Sequence, residues 1–215
     1  MKIVLISILI IASLTATVSW LAAKPVPERI VYGMSFNTPY AHELGLPWKD
    51  VYDAVIDDLG VRHLRLAAHW PMVEPADGVY NFEEMDYQVR RAEEVGADVI
   101  FALGRRLPRW PECHVPEWGA SLPWERQKDE IRDYLRVVVD RYKDSPAIIY
   151  WQVENEPYLE VFAKEHCNEL DEEFLIEEIE LVRSLDPTRP IMVTDSGNLG
   201  LWADAYKHGA AFGTS

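Results

Sequence analysis

The chain has 215 residues, 48% of them hydrophobic and 11% aromatic, which is enough apolar side chain to pack a core and too much for a disordered segment. Its formal net charge is -15, with 36 Asp and Glu against 21 Lys and Arg. That excess repels polyanions, so nucleic acid and acidic membrane surfaces are excluded as partners.

Residues Ile3 to Ala23 carry no charge and follow a single Lys2. This is the pattern of a secretory signal, or of an N-terminal anchor long enough for a single membrane span. Trp20-Leu21-Ala22-Ala23 marks a cleavage site only weakly, so residues 1–23 stay open between the two. Either way the product is secreted or membrane-anchored, with the folded domain outside the cytoplasm.

Beyond this segment, short β-branched runs alternate with amphipathic helical patterns, as in repeated βαβ units of a parallel sheet. A strand is expected over Ile30–Phe36, then a helix over Trp48–Leu59 in which Val51, Val55 and Leu59 share a face before Gly60. A second strand covers Val61–Ala67. Asn81-Phe82-Glu83-Glu84 reads as a capping box, opening a helix lined by Met85, Val89 and Ala92 and ended by Gly96.

The third strand covers Asp98–Leu103, and a loop rich in Pro and Trp runs from it to Pro123. A helix with Ile131, Leu135 and Val138 at core spacing stops at Asp144-Ser145-Pro146. The fourth strand, from Ile148, is apolar until it ends in Glu154-Asn155-Glu156-Pro157. An acidic helix over Asp171–Leu185 buries Leu175, Ile179 and Val182, Ile191–Thr194 forms a fifth strand, and Ala210–Thr214 opens a sixth.

No linker or repeat interrupts this alternation, so residues 28–215 are read as one α/β domain. An open doubly wound sheet would place a glycine-rich phosphate loop after the first strand, where Asn37-Thr38-Pro39-Tyr40 stands instead. The expected fold is a (β/α)8 TIM barrel, truncated after five to six βα units, since a closed barrel takes about 250 residues.

The two cysteines, Cys113 and Cys167, fall on loops after successive strands. In an exported chain that favours a disulfide, with two free buried thiols the alternative. Cys113-His114 has no ligand spacing around it, and neither a metal nor an organic cofactor is expected.

Strand ends at the C-terminal rim of a parallel barrel carry its chemistry, which singles out Asn155-Glu156-Pro157. Glycosidic bond cleavage needs one carboxylic acid to protonate the leaving oxygen and a second carboxylate opposite it. Glu156 suits the first role, Asn155 suits a hydrogen bond to a sugar hydroxyl, and Pro157 stops further strand pairing. These residues resemble clan A glycoside hydrolases, the retaining superfamily of cellulase-like and β-galactosidase-like barrels, and the resemblance runs through most of residues 28–215.

The resemblance implies that Glu156 is the acid/base and that Asn155 meets the substrate 2-hydroxyl. Arg65-Leu66-Ala67-Ala68-His69-Trp70-Pro71-Met72-Val73-Glu74-Pro75, with Gly78 to Phe82 and Asp86, looks like the segment such enzymes carry after strand two. It implies an Arg65 inside the barrel that keeps the nucleophile ionised. It also implies a nucleophile at the end of strand seven, beyond Ser215.

Glu74 is read as ordering its loop, and Glu154 as standing behind the site. His69 and His114 are candidates for binding sugar hydroxyls, with a structural histidine the alternative at each. Trp70, Trp110, Trp118, Trp124, Tyr158 and Trp202 follow strands and are candidates for stacking on pyranose rings, some of them packing the rim instead. The expected partner is an oligo- or polysaccharide. An inactive glycan-binding barrel at the cell surface is the alternative function, and an esterase finds no Gly-x-Ser-x-Gly elbow. The sequence is silent on oligomeric state.

Overall fold

The computed structural model of the chain describes residues 2–22, 30–109, 112–158, 167, 171–195 and 211–214. Contacts divide the chain into two units, Met1–Val31 and Tyr32–Ser215. The first holds helix α1, Lys2–Ala22. Among the described residues no helix is long and apolar enough to cross a membrane. The leader or anchor expected over residues 1–23 therefore rests on sequence pattern.

The second unit alternates strands with helices. Its elements are β1 (Met34–Ser35), α2 (Thr38–Glu43), α3 (Trp48–Asp57), β2 (His63–Ala67), α4 (Trp70–Val73), α5 (Glu83–Glu94) and β3 (Asp98–Leu103). They continue with α6 (Glu117–Ala120), α7 (Trp124–Tyr142), β4 (Ile148–Val153), α8 (Glu172–Leu185), β5 (Ile191–Asp195) and β6 (Ala211–Thr214). The strands pair in chain order β1-β2-β3-β4-β5-β6, every neighbour parallel. All six strands therefore end on the same side, which is where a barrel places its chemistry.

Side-chain alternation sorts the strands into two faces. Leu64, Leu66, Val99, Phe101, Trp151, Val153, Ile191 and Val193 pack the core against the buried stripes of the helices, including Ile131, Leu135 and Val138 of α7 and Leu175, Ile179 and Val182 of α8. On the intervening positions stand Arg65, Ala67, Ala102 and Gln152. Ala67 and Ala102 there pack with Leu107 in a small second cluster, and Gln152 is fully buried.

Boundaries moved where pairing ran out. The first strand shrinks from Ile30–Phe36 to Met34–Ser35, because it pairs only with β2 and Ile30, Val31 and Tyr32 stand exposed. Helix α3 ends at Asp57, so Leu59 is exposed and the buried stripe is Trp48, Tyr52, Val55 and Ile56. Asn81 starts α5 through an Asx turn, its Oδ1 accepting from the Glu83 amide at 3.0 Å, rather than through a capping box.

Candidate active site

The turn after β4 is built on strain. Glu154 and Glu156 both adopt positive φ, 60° and 45°, which non-glycine residues seldom do. Such backbone persists only where its surroundings over-determine it, and here they do. The Glu154 amide donates to the Leu103 carbonyl (2.9 Å), the Asn155 amide to the Arg106 carbonyl (2.8 Å) and the Glu156 amide to Thr194 Oγ1 (2.9 Å).

Arg65 and Asn155 meet at the centre. Arg65 Nη2 donates to Asn155 Oδ1 at 2.6 Å, while its Nε donates to Gln152 Oε1 at 2.8 Å. Thr194 Oγ1 donates to the same Asn155 oxygen at 3.1 Å. Two donors on one oxygen fix the amide's orientation and leave its Nδ2 group to donate to a ligand. Sequence reasoning expected Arg65 beside a nucleophile; the geometry adds that Arg65 orients Asn155.

A second carboxylate, overlooked at the sequence level, belongs to this site. Glu112, on the loop after β3, is electrostatically coupled to Glu156, Arg106 and Arg65. Burial first, then the charge of Glu156, pushes its carboxyl up. Its loop is held by the Leu107 amide donating to the Glu112 carbonyl (2.8 Å) and by the Cys113–Cys167 disulfide. The disulfide expected from the cysteine count is therefore present. Glu112 escaped notice because its loop has no periodicity to place it.

At the ends of β1 and β2, Asn37 Nδ2 lies 3.2 Å from His69 Nε2 and donates to the Pro108 carbonyl at 3.1 Å. His69 and His114 stack edge to face, 4.6 Å between ring centroids. Burial first, then His114, lowers His69 to about 3, and burial lowers His114 to about 4, so both rings are neutral at pH 7. His69 is buried, so its ring ties the loops together instead of facing a sugar, the structural alternative for that residue. His114 is half-buried, its Nε2 enclosed and without a hydrogen-bond partner. Beside these loops lies a cavity of about 540 Å³ whose lining includes Asn37, Tyr40, Arg65, Pro108 and Arg109, large enough for a sugar unit.

Trp70, expected to stack on sugar, is fully buried between Trp118 and Tyr134, with Nε1 donating to Glu74 Oε2 at 2.7 Å. A ring with no exposed face offers a pyranose nothing to stack on. Tyr158 is likewise buried in the core cluster. Trp118 keeps a partly exposed ring and donates to the Glu74 carbonyl at 3.0 Å. Trp124 packs on α8 through Phe174 and donates to Asp171 Oδ2 at 2.9 Å. Trp110 and Trp202 lie outside the described residues. Glu74 orders its loop, taking Trp70 on one oxygen and the Gly78 amide (2.9 Å) on the other.

Glu154 turns away from this site. Its oxygens accept from the Arg105 amide (2.9 Å) and the Arg106 amide (2.6 Å), and its carboxylate occupies the space where a side chain on Gly104 would stand. Among the described residues no cluster of His, Cys, Asp or Glu has the arrangement of a metal site.

The β-galactosidase model of the glycoside hydrolase 42 family matches residues 48–185, well over half of the chain. The probable mannan endo-1,4-beta-mannosidase F of Emericella nidulans is 28% identical over 134 residues, covering 56% of this chain and 28% of its own length. Beta-galactosidase GanA of Bacillus subtilis is 27% identical over 134 residues, covering 51% of this chain and 20% of its own. The chain thus spans under a third of either relative. Among solved structures, native xylanase 10B from Thermotoga maritima superposes with TM-score 0.61 at 16% identity, covering 85% of this chain and 59% of that one. GH5_18 from Streptomyces cattleya, in complex with GlcNAc, gives 0.58 at 18%, covering 76% and 44%. At such identities the structural likeness is one of fold, that of a barrel represented in part. The family match over residues 48–185 goes further: the chain belongs to glycoside hydrolase family 42, among the clan A barrels.

Proposed function

We propose that the protein carrying this chain is a retaining glycoside hydrolase that cleaves β-linked glycans, with Glu156 as acid/base. The observation that supports it best is the convergence of Arg65 and Thr194 on Asn155 Oδ1, directly before a Glu156 held at positive φ. Glu156 gives its proton to the glycosidic oxygen as the bond from that oxygen to the anomeric carbon breaks. A second carboxylate attacks that carbon, and Glu156 then takes a proton from the water that releases the sugar. The Asn155 amide donates to the 2-hydroxyl of the sugar being transferred.

The second carboxylate is placed on a later strand, beyond Ser215. The mannosidase and β-galactosidase relatives make β-linked hexosides the first substrates to try. In the whole protein, Glu156→Gln should lower turnover of an unactivated β-glycoside by about 10²- to 10⁴-fold, the usual contribution of a general acid. Retention of the wild-type rate would overturn the assignment.

Residues 1–23 are proposed as a leader or anchor that puts residues 28–215 outside the cytoplasm, in keeping with the Cys113–Cys167 disulfide. Recovery of the protein from the cytoplasmic fraction with its cysteines reduced would contradict this.

A further inference from the structure

Behind the catalytic turn, where the proposed mechanism makes no use of them, two carboxyl groups share a closed compartment. Glu154 and Glu178 are 3% and 2% exposed, one following β4 and the other inward-facing on α8. Glu178 lines one pocket with Glu154, Arg105 and Arg106, and its Oε1 is buried with no partner. Two ionised carboxylates cannot sit together in such a place, so the pair holds a proton. Glu154 accepts two backbone amide bonds, which favour its charged form, so the proton rests on Glu178.

Glu154 links this compartment to the site. Its carboxylate holds the Arg105 and Arg106 amides, the Arg106 carbonyl accepts from the Asn155 amide, and the Glu154 carbonyl accepts from Gln152 Nε2, which shares its side chain with Arg65. The next residues are Asn155 and the strained Glu156. We propose that Glu178 is a positioning residue for the catalytic turn: while it carries the proton shared with Glu154, it keeps Glu154 on the two amides and Glu156 aimed, and losing that proton releases the turn.

The charged and titratable groups facing the pair are Arg105, Arg106 and Asp171 around it, Arg132 from α7, and Tyr134 beneath it. The Arg105 guanidinium is engaged over the Trp124 ring at 4.1 Å. Arg106 Nη1 is committed to the Pro157 carbonyl and Arg132 to Asp129 and Glu177, so the surrounding cations are engaged elsewhere, which suits a singly protonated pair. Burial first, then the charge of Glu154, raises Glu178 well above the carboxyl range. An unfolded chain gives up that proton near the ordinary value of about 4.3, so the folded state holds it more tightly. The stabilising contribution is therefore whole in acid and is lost as pH rises through the folded pKa of the pair.

The inference rests on Glu156 being the acid/base, and two readouts keep the claims apart. In the whole protein, kcat/KM against pH is measured for wild type and Glu178→Gln, which donates the same hydrogen bond and cannot ionise. The alkaline limb should move up by at least one pH unit in the variant. Independently of turnover, hydrogen exchange should show protection of the Arg105 and Arg106 amides falling at least tenfold across the same limb in wild type and not in Glu178→Gln. Glu178→Met, uncharged but unable to donate, should lose activity several-fold at every pH without an alkaline step. A superimposable limb and flat protection in wild type overturn the proposal, whether or not the variants fold. Should Glu156→Gln retain activity while exchange still follows Glu178, the catalytic reading fails and the proton-held turn stands.

Discussion

Asn155 offers two polar ends, and the structure commits one of them. With Oδ1 taken by Arg65 and Thr194, the amide group is presented in one orientation before any sugar arrives. Thr194 also receives the Glu156 amide, so one hydroxyl serves two catalytic-turn residues. Thr194→Val keeps the shape and removes the hydroxyl. It should lower kcat about 10-fold or more, with a stability loss of about 1–3 kcal/mol from the unpaired buried groups; unchanged steady-state kinetics would show that Arg65 suffices. The place of Asn155 and Glu156 at a strand end was legible in the sequence because a strand-end motif reports position, while Arg65 entered through the resemblance of the segment after strand two. Thr194, Gln152 and Glu112 were not legible, since each matters only through a partner 38 to 87 residues away or through an irregular loop.

Between β3 and β4 the decisive element is the turn that begins at Gly104. Its φ is +116°, and a Cβ there would lie 2.5 Å from Glu154 Oε1, which accepts from the Arg105 amide while the other oxygen of that carboxylate accepts from the Arg106 amide. Gly104→Ala combines backbone strain with displacement of that carboxylate. A cost of about 1–3 kcal/mol is expected, measured as a lower denaturation midpoint, together with loss of activity because the Arg105–Arg106 segment carries the Asn155 amide. If both were unchanged, the coupling of the two turns would be wrong. Element types followed from periodicity, and β3 runs over the residues expected of it. Ends drifted where a pairing partner was needed to define them, as at β1, or where a cap competed, as at Asn81.

At the scale of the molecule, Cys113–Cys167 joins the loop after β3 to the segment between β4 and α8, across 54 residues. Closing a loop of that length stabilises by about 4 kcal/mol in the chain-entropy model. Cys113→Ser in the whole protein should lower the denaturation midpoint and reduce activity, because Glu112 precedes the bridge and the Glu112 carbonyl holds Leu107. An identical midpoint with and without reductant would limit the bridge to local ordering.

By itself the sequence determined the alternation of strands and helices, the parallel α/β class, the partial barrel and the strand end that delivers Asn155 and Glu156. All of these depend on short-range patterns: the 2.0 and 3.6 residue periods, capping and breaking residues, and a tripeptide whose position is set by the strand before it. Tertiary structure decided which aromatic rings face out, that Trp70 is core and not platform, that Glu154 looks backward to Glu178, and that Glu112 stands near Glu156. Burial and charge proximity are properties of distance in space. They are fixed only when residues remote in the chain are packed together.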